Sequence, residues 1–312
     1  MSKNNVTQHP IDAVILWVDG NDEQHRQKVL TFLENKQVAQ SKKFRARYDQ
    51  VNEIKFTVDS LLKFAPYLRY IFIVTDNQTP KFLSQKTKKY SSVFIIDHKV
   101  IFKGFEEFLP TFNSRSIESC IYRIPGLAEH FIYLNDDFFL INETKPEDFF
   151  INGLPVLRGE WKKFDSQKFL KKFKTPRPGH KSAQQYSAKL IGFNKYYNFR
   201  HTPHPMRKST LANYFDNNQQ VFLNNIKYKF RNKKQFLTQG LANHIEIKNN
   251  SCILEKNLQL LYFRSYKKPL FWYKFKLNSH RKNKLFMGMQ SLDQCPPNIL
   301  KYLLQWLSQR TN

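Results

Sequence analysis

Four short apolar runs, each closed by an acidic residue, restrict the folds open to this chain more than any other feature. Ile11 to Val18 ends at Asp19-Gly20, Tyr70 to Thr75 at Asp76, and Val93 to Ile96 at Asp97. Phe131 to Leu134 ends at Asn135-Asp136-Asp137. Continuous rather than alternating hydrophobicity is expected of strands covered on both faces. Helical signals separate the runs. Asn21 can cap a helix reaching about Val38, and Ile54, Val58, Leu61, Leu62 and Ala65 have helical spacing before the stop at Pro66. Residues 80–90 read as helical, and Asn113, Ser114, Arg115 and Glu118 open another helix ahead of the Pro125-Gly126 break. The alternation predicts an α/β fold, Rossmann-like, with a mainly parallel sheet and helices on both faces. Ligands of such sheets bind beyond the carboxyl ends of the strands. Asp is also an ordinary turn residue after a strand, which accounts for Asp76 and Asp97 without any function. It accounts less well for Asp136-Asp137, since adjacent carboxylates in an apolar run cost several kcal/mol unless something cationic offsets them.

Charge divides the 312 residues unevenly. Residues 1–150 carry 20 Lys and Arg against 19 Asp and Glu, whereas residues 151–312 carry 31 against 6. We therefore expect a near-neutral catalytic core over 1–150, and over 151–312 a basic, mainly helical half that completes the site and faces a polyanion. A compositional bias toward Lys and Asn gives the same excess without any partner. Residues 162–181 read as a basic flap, and 183–197 and 205–232 as largely helical. The stretch 264–284 holds eight Lys or Arg and no acid, interleaved with aromatic residues. That mixture suits an anionic membrane surface or a stacking platform for sugars or bases. Three scattered cysteines, no apolar run of roughly eighteen residues and a polar start lead us to expect a cytoplasmic protein.

The nine glycines form neither a dinucleotide fingerprint nor a P-loop, and no nucleophile elbow is present. Asp136 and Asp137 have the hard oxygen chemistry that Mg²⁺ prefers. His201 and His204, in HTPHP, place two imidazoles on a proline-stiffened loop suited to acid/base work or phosphate contact. Arg231 lies in a basic run that could equally be a solvated helix face. No helix-turn-helix, RNP or zinc signature accompanies the charge, so no nucleic-acid partner is expected.

Taken together, IDAVILWVDGND, LLKFAPYLRYIFIVTDNQTP, LPTFNSRSIESCIYRIPGLAEHFIYLNDD and HTPHP resemble the Stealth family of sugar-1-phosphate transferases, which includes capsular and exopolysaccharide phosphotransferases. The resemblance implies catalytic roles for Asp19, Glu118, Asp137, His201 and Arg231. On mechanism we assign Mg²⁺ to Asp137, helped by Asp136 and Glu118, and expect Asn113, Ser114 and Arg115 to line the donor pocket, with Asp136 and His204 also at the substrate. His201 is the acid/base candidate, and Asp137 acting as base without a tight metal is its rival. The resemblance further implies a UDP-sugar donor, release of UMP and a phosphodiester linked to a growing anionic polysaccharide. A metal-dependent glycosyltransferase that releases UDP is the alternative. The family's fourth region, which carries an Asn-Asp pair, is not clear in this sequence; the nearest candidate, Phe286 to Leu292, has Gln290-Ser291 instead. Peripheral contact with the inner membrane leaflet is consistent with the basic half.

Overall fold

Alternation along the first run sends Ala13 and Ile15 to one side and Val14 to the other, and none of the three is solvent-accessible. A strand so placed needs cover on both faces. The computed structural model, which describes residues 9–41, 44, 51–85, 87–167 and 179–311, shows where the cover comes from. The strands are β1 (Ile11–Leu16), β2 (Leu68–Thr75), β3 (Val93–Asp97), β4 (His130–Asn135), β5 (Phe138–Leu140) and β6 (Phe150–Ile151). They continue with β7 (Leu154–Lys163), β8 (Lys195–Phe199), β9 (His204–Arg207), β10 (Ile253–Glu255), β11 (Leu260–Phe263) and β12 (Phe286–Met289).

The main sheet has the order β3-β2-β1-β4-β9, with β1 to β4 parallel and β9 antiparallel to β4. On one face Ala13, Ile15, Ile71 and Ile73 join a core with Ile54, Val58 and Leu61 of helix Glu53–Phe64. On the other, Val14, Phe72, Val74 and Phe131 join a core with Ile117 of helix Ser114–Cys120 and with Leu211 and Phe222 from two later helices. The fold is α/β, its central sheet mainly parallel and its helices on both faces.

Several local expectations need correction. Residues 80–90 form two separate 3₁₀ turns, Lys81–Leu83 and Lys88–Tyr90, rather than a helix. Helix His180–Leu190 stops short of 197, where the chain becomes β8. The start of the expected helix at 205 is β9, whose pairing with β4 overrides local propensity. The second half therefore contributes strands as well as helices, and through β9 a single sheet crosses the boundary at residue 150. Residues 168–178 of the basic stretch lie outside those described.

A small sheet of order β11-β12-β5 stands beside the main one. It shares a core with helix Leu270–His280 and the C-terminal helix Pro297–Thr311. Among the described residues no helix is long and apolar enough to cross a membrane.

Candidate active site

The direction of β9 decides where the imidazoles sit. β4 runs toward its carboxyl end at Asn135, and antiparallel β9 places His204 opposite Tyr133. The residues just before His204 therefore emerge at the edge where Asp136 and Asp137 leave β4. A cavity of about 510 Å³ opens there. Its lining brings together Glu118, Asp136, Asp137, Ser114, Arg115, His201, His204 and Arg231.

The carboxylates occupy a poorly solvated place. Burial, reinforced by Glu53, pushes Asp137 up from the ordinary carboxylate range to about 7. Asp136 is also raised, by burial and then by Asp137. Glu118 is raised by burial despite the opposing influence of Arg231. Two oxygens, Asp137 Oδ1 and Glu118 Oε2, are buried without a hydrogen-bond partner. An unsatisfied buried polar group costs about 1–3 kcal/mol, so both oxygens stand in an unfavourable setting unless a cation or donor meets them. The other Glu118 oxygen accepts from the Tyr133 hydroxyl at 3.0 Å. The backbone of the acidic pair is pinned: Thr57 Oγ1 donates to the Asp136 carbonyl at 2.6 Å and Met289 N to the Asp137 carbonyl at 3.0 Å.

His201 lies in an aromatic frame. Its ring stacks near Phe138 (6.1 Å between centroids) and Tyr262 (5.7 Å), and it meets His180 at 4.3 Å. The small sheet builds this frame, because Gly288 of β12 is registered with Tyr262 of β11 on one side and Phe138 of β5 on the other. A Cβ at Gly288 would come within 2.7 Å of both rings, so only glycine fits there without displacing them. Burial lowers His201 to about 4 and His204 to about 3, and it depresses His180 as well. Burial thus shifts all three imidazoles toward the neutral form.

Arg231 is tied to the helix that carries Glu118 by donating to Ser114 Oγ at 2.9 Å. A buried polar network backs this contact. Gln235 accepts from Asn113 Nδ2 (2.9 Å) and donates to Ser116 Oγ (3.2 Å), while Asn225 donates to Ser119 Oγ (2.8 Å). Arg115 bridges the Asn232 and Gly179 carbonyls at 3.0 and 3.1 Å.

Two expected site residues fall outside the lining. Asn113 is fully buried, caps helix Ser114–Cys120 through Arg115 N and donates to the Tyr228 carbonyl, so it holds the helix rather than the ligand. Asp19 lies in the turn after β1, where it accepts from Asn21 N at 2.9 Å. Asp97 is a capping residue, accepting from Lys99 N and Asn77 N. Asp76 does reach the cavity, with Lys28 Nζ 2.6 Å away.

The cavity also gathers Glu53, His180, Tyr262, Arg264 and Asp293, which sequence reasoning did not single out. Glu53 looks like an ordinary first-turn acid, and His180 and Arg264 are isolated among basic residues. Gln290, Ser291 and Asp293 line the cavity too, so the segment after β12 reaches the site.

Among the described residues no group of three or more His, Cys, Asp or Glu is arranged to hold a metal by itself. Mg²⁺ is commonly bound by one or two carboxylates together with substrate phosphates, and Asp136, Asp137 and the orphaned Oδ1 suit that mode.

Carboxylates, imidazoles and a tethered guanidinium thus share one cavity at the carboxyl edge of the parallel strands. Residues 9–37 match conserved region 1 of the Stealth proteins and residues 47–156 match conserved region 2, and the chain belongs to that family. A capsular polysaccharide phosphotransferase, cps1A of Actinobacillus pleuropneumoniae, is 37% identical over 74% of this chain and 63% of its own length. An exopolysaccharide phosphotransferase, cps2G of Lactiplantibacillus plantarum, is 44% identical over 46% of this chain and 41% of its own. The chain thus spans less than two thirds of the relatives it matches. The solved structure of an active-site mutant of the glycosyltransferase LgtC aligns over 95% of both chains, with a TM-score of 0.48 and 10% identity.

Proposed function

We propose that the protein is a capsular polysaccharide phosphotransferase working in the cytoplasm at the inner face of the membrane. It moves a hexose- or N-acetylhexosamine-1-phosphate from a UDP-sugar to a hydroxyl of an anionic polysaccharide. The observation that carries this reading is the convergence of Glu118, Asp137, His201 and Arg231 on one cavity. The acceptor oxygen forms a bond to the sugar-side phosphorus, the bridging phosphorus–oxygen bond breaks, and UMP leaves. His201, neutral and held by its aromatic frame, accepts the hydroxyl proton. Arg231 grips the phosphoryl oxygens with a planar fork, positioned by Ser114. Glu118 sets the local charge against Arg231, and Arg115, which lines the cavity, is held by the Asn232 and Gly179 carbonyls. Asp136 and Asp137 would hold Mg²⁺, which when bound neutralises diphosphate charge. The basic second half retains the polyanionic acceptor.

Incubation with a panel of UDP-sugars and an acceptor, followed by identification of the nucleotide product, tests the reading. UMP is expected. Release of UDP instead makes the protein a glycosyltransferase.

A further inference from the structure

Helix Leu270–His280 is apolar in two opposite directions. Tyr273 and Leu277, one turn apart, are inaccessible and belong to the core beneath the small sheet. Phe271 and Phe275, also one turn apart, are 71% and 73% exposed, more than any other large hydrophobic residue described. At 3.6 residues per turn the two pairs project roughly 200° apart. One pair therefore anchors the helix and the other stands in solvent. Lys274 and Lys276 flank the exposed pair, held over the rings of Tyr302 (5.3 Å) and Trp272 (4.8 Å). Lys267, Lys268, Arg281 and Lys282 extend the positive surface to either side, and residues 264–284 contain no acid to oppose them.

We propose that this face docks on an anionic lipid bilayer, with Phe271 and Phe275 entering the acyl boundary and the flanking cations meeting headgroups. Protruding phenyl rings gain free energy by leaving water for hydrocarbon and carry no polar handle for a sugar. Each nearby Lys or Arg adds attraction to acidic lipid. A charged polymer would satisfy the cations but leave the two rings wet. The loop into this helix starts at Arg264, which lines the cavity.

The full chain is sedimented with vesicles of phosphatidylglycerol and phosphatidylcholine, and in parallel with phosphatidylcholine vesicles, in the absence of any nucleotide sugar. Binding to the acidic vesicles alone, weakened by added salt, is expected. The double variant Phe271→Ser/Phe275→Ser should bind about tenfold or more weakly with an unchanged thermal melt, because both side chains are already exposed. Equal binding to both vesicle types overturns the proposal, and so does undiminished binding by the double variant. Tight binding to polyphosphate that falls in parallel in the double variant reassigns the face to a polymer and also overturns it. Nucleotide release measured on soluble substrates is read separately, so failure here leaves the transfer reaction standing.

Discussion

The carboxylate group and the imidazole group of the cavity are buried alike and are driven toward neutrality alike, yet they stand on opposite sides of readiness. Burial lifts Asp137 to about 7 and drops His201 to about 4. The acids must recruit a positive charge before they can ionise comfortably. The imidazoles are already in the proton-accepting form. Dehydration, the largest influence on both, thus leaves the acids in need of a cation and the imidazoles unprotonated.

The largest effect should come from breaking either side of this contrast. Asp137→Asn and His201→Gln are each expected to lower kcat by about 10²–10⁴-fold while leaving the far-ultraviolet circular dichroism intact. Near-normal turnover in either variant removes that residue from the mechanism.

A pH profile separates the two residues as base. With donor and Mg²⁺ saturating, kcat should be flat between about pH 6 and 8 if His201 accepts the proton, because its titration lies near 4. An acid limb within that range would show that a group other than His201 accepts the proton.

Gly288→Ala attacks the frame of His201 without touching a reacting group. The added methyl meets Phe138 and Tyr262 at 2.7 Å, so about 1–3 kcal/mol of stability and roughly tenfold in kcat should be lost. Denaturant midpoints and kcat read the two effects independently. A fully active, equally stable variant would show that the frame is dispensable.

The smallest effect concerns stability. Because the folded-state pKa of Asp137 is raised, the native protein holds this proton more tightly than the unfolded chain does. Stability associated with the group is therefore present below about pH 4 and is lost as pH rises toward 7. For His201 the sign reverses: its contribution is present above about 6.5 and is lost as pH falls toward 4. Relative to wild type, Asp137→Asn should gain in Tm between pH 5 and pH 8, measured by calorimetry without metal. An unchanged difference would place Asp137 in a better-solvated setting.

Much of the sheet was legible because continuous apolar runs and terminal acids are local signals. The helix at 53–64 was legible from the spacing of Ile54, Val58 and Leu61 and the stop at Pro66. Residues 205–207 misled because their local pattern permits a helix, while the backbone partner that decides otherwise, β4, is far away in the chain; residues 80–90 close only local 3₁₀ turns. Asn113 misled differently. Its motif is real, but Tyr228 and Gln235 claim its side chain from over a hundred residues away.

The sequence by itself determined an α/β core of parallel strands, the acidic ends of those strands and the family pattern that covers residues 9–37 and 47–156, since these depend on residue type and spacing. Tertiary structure alone decided that β9 enters antiparallel, that Glu53, His180 and Arg264 join the cavity, and that a glycine holds the frame of His201. Burial and strand register are properties of contacts between distant segments, and no local pattern encodes them.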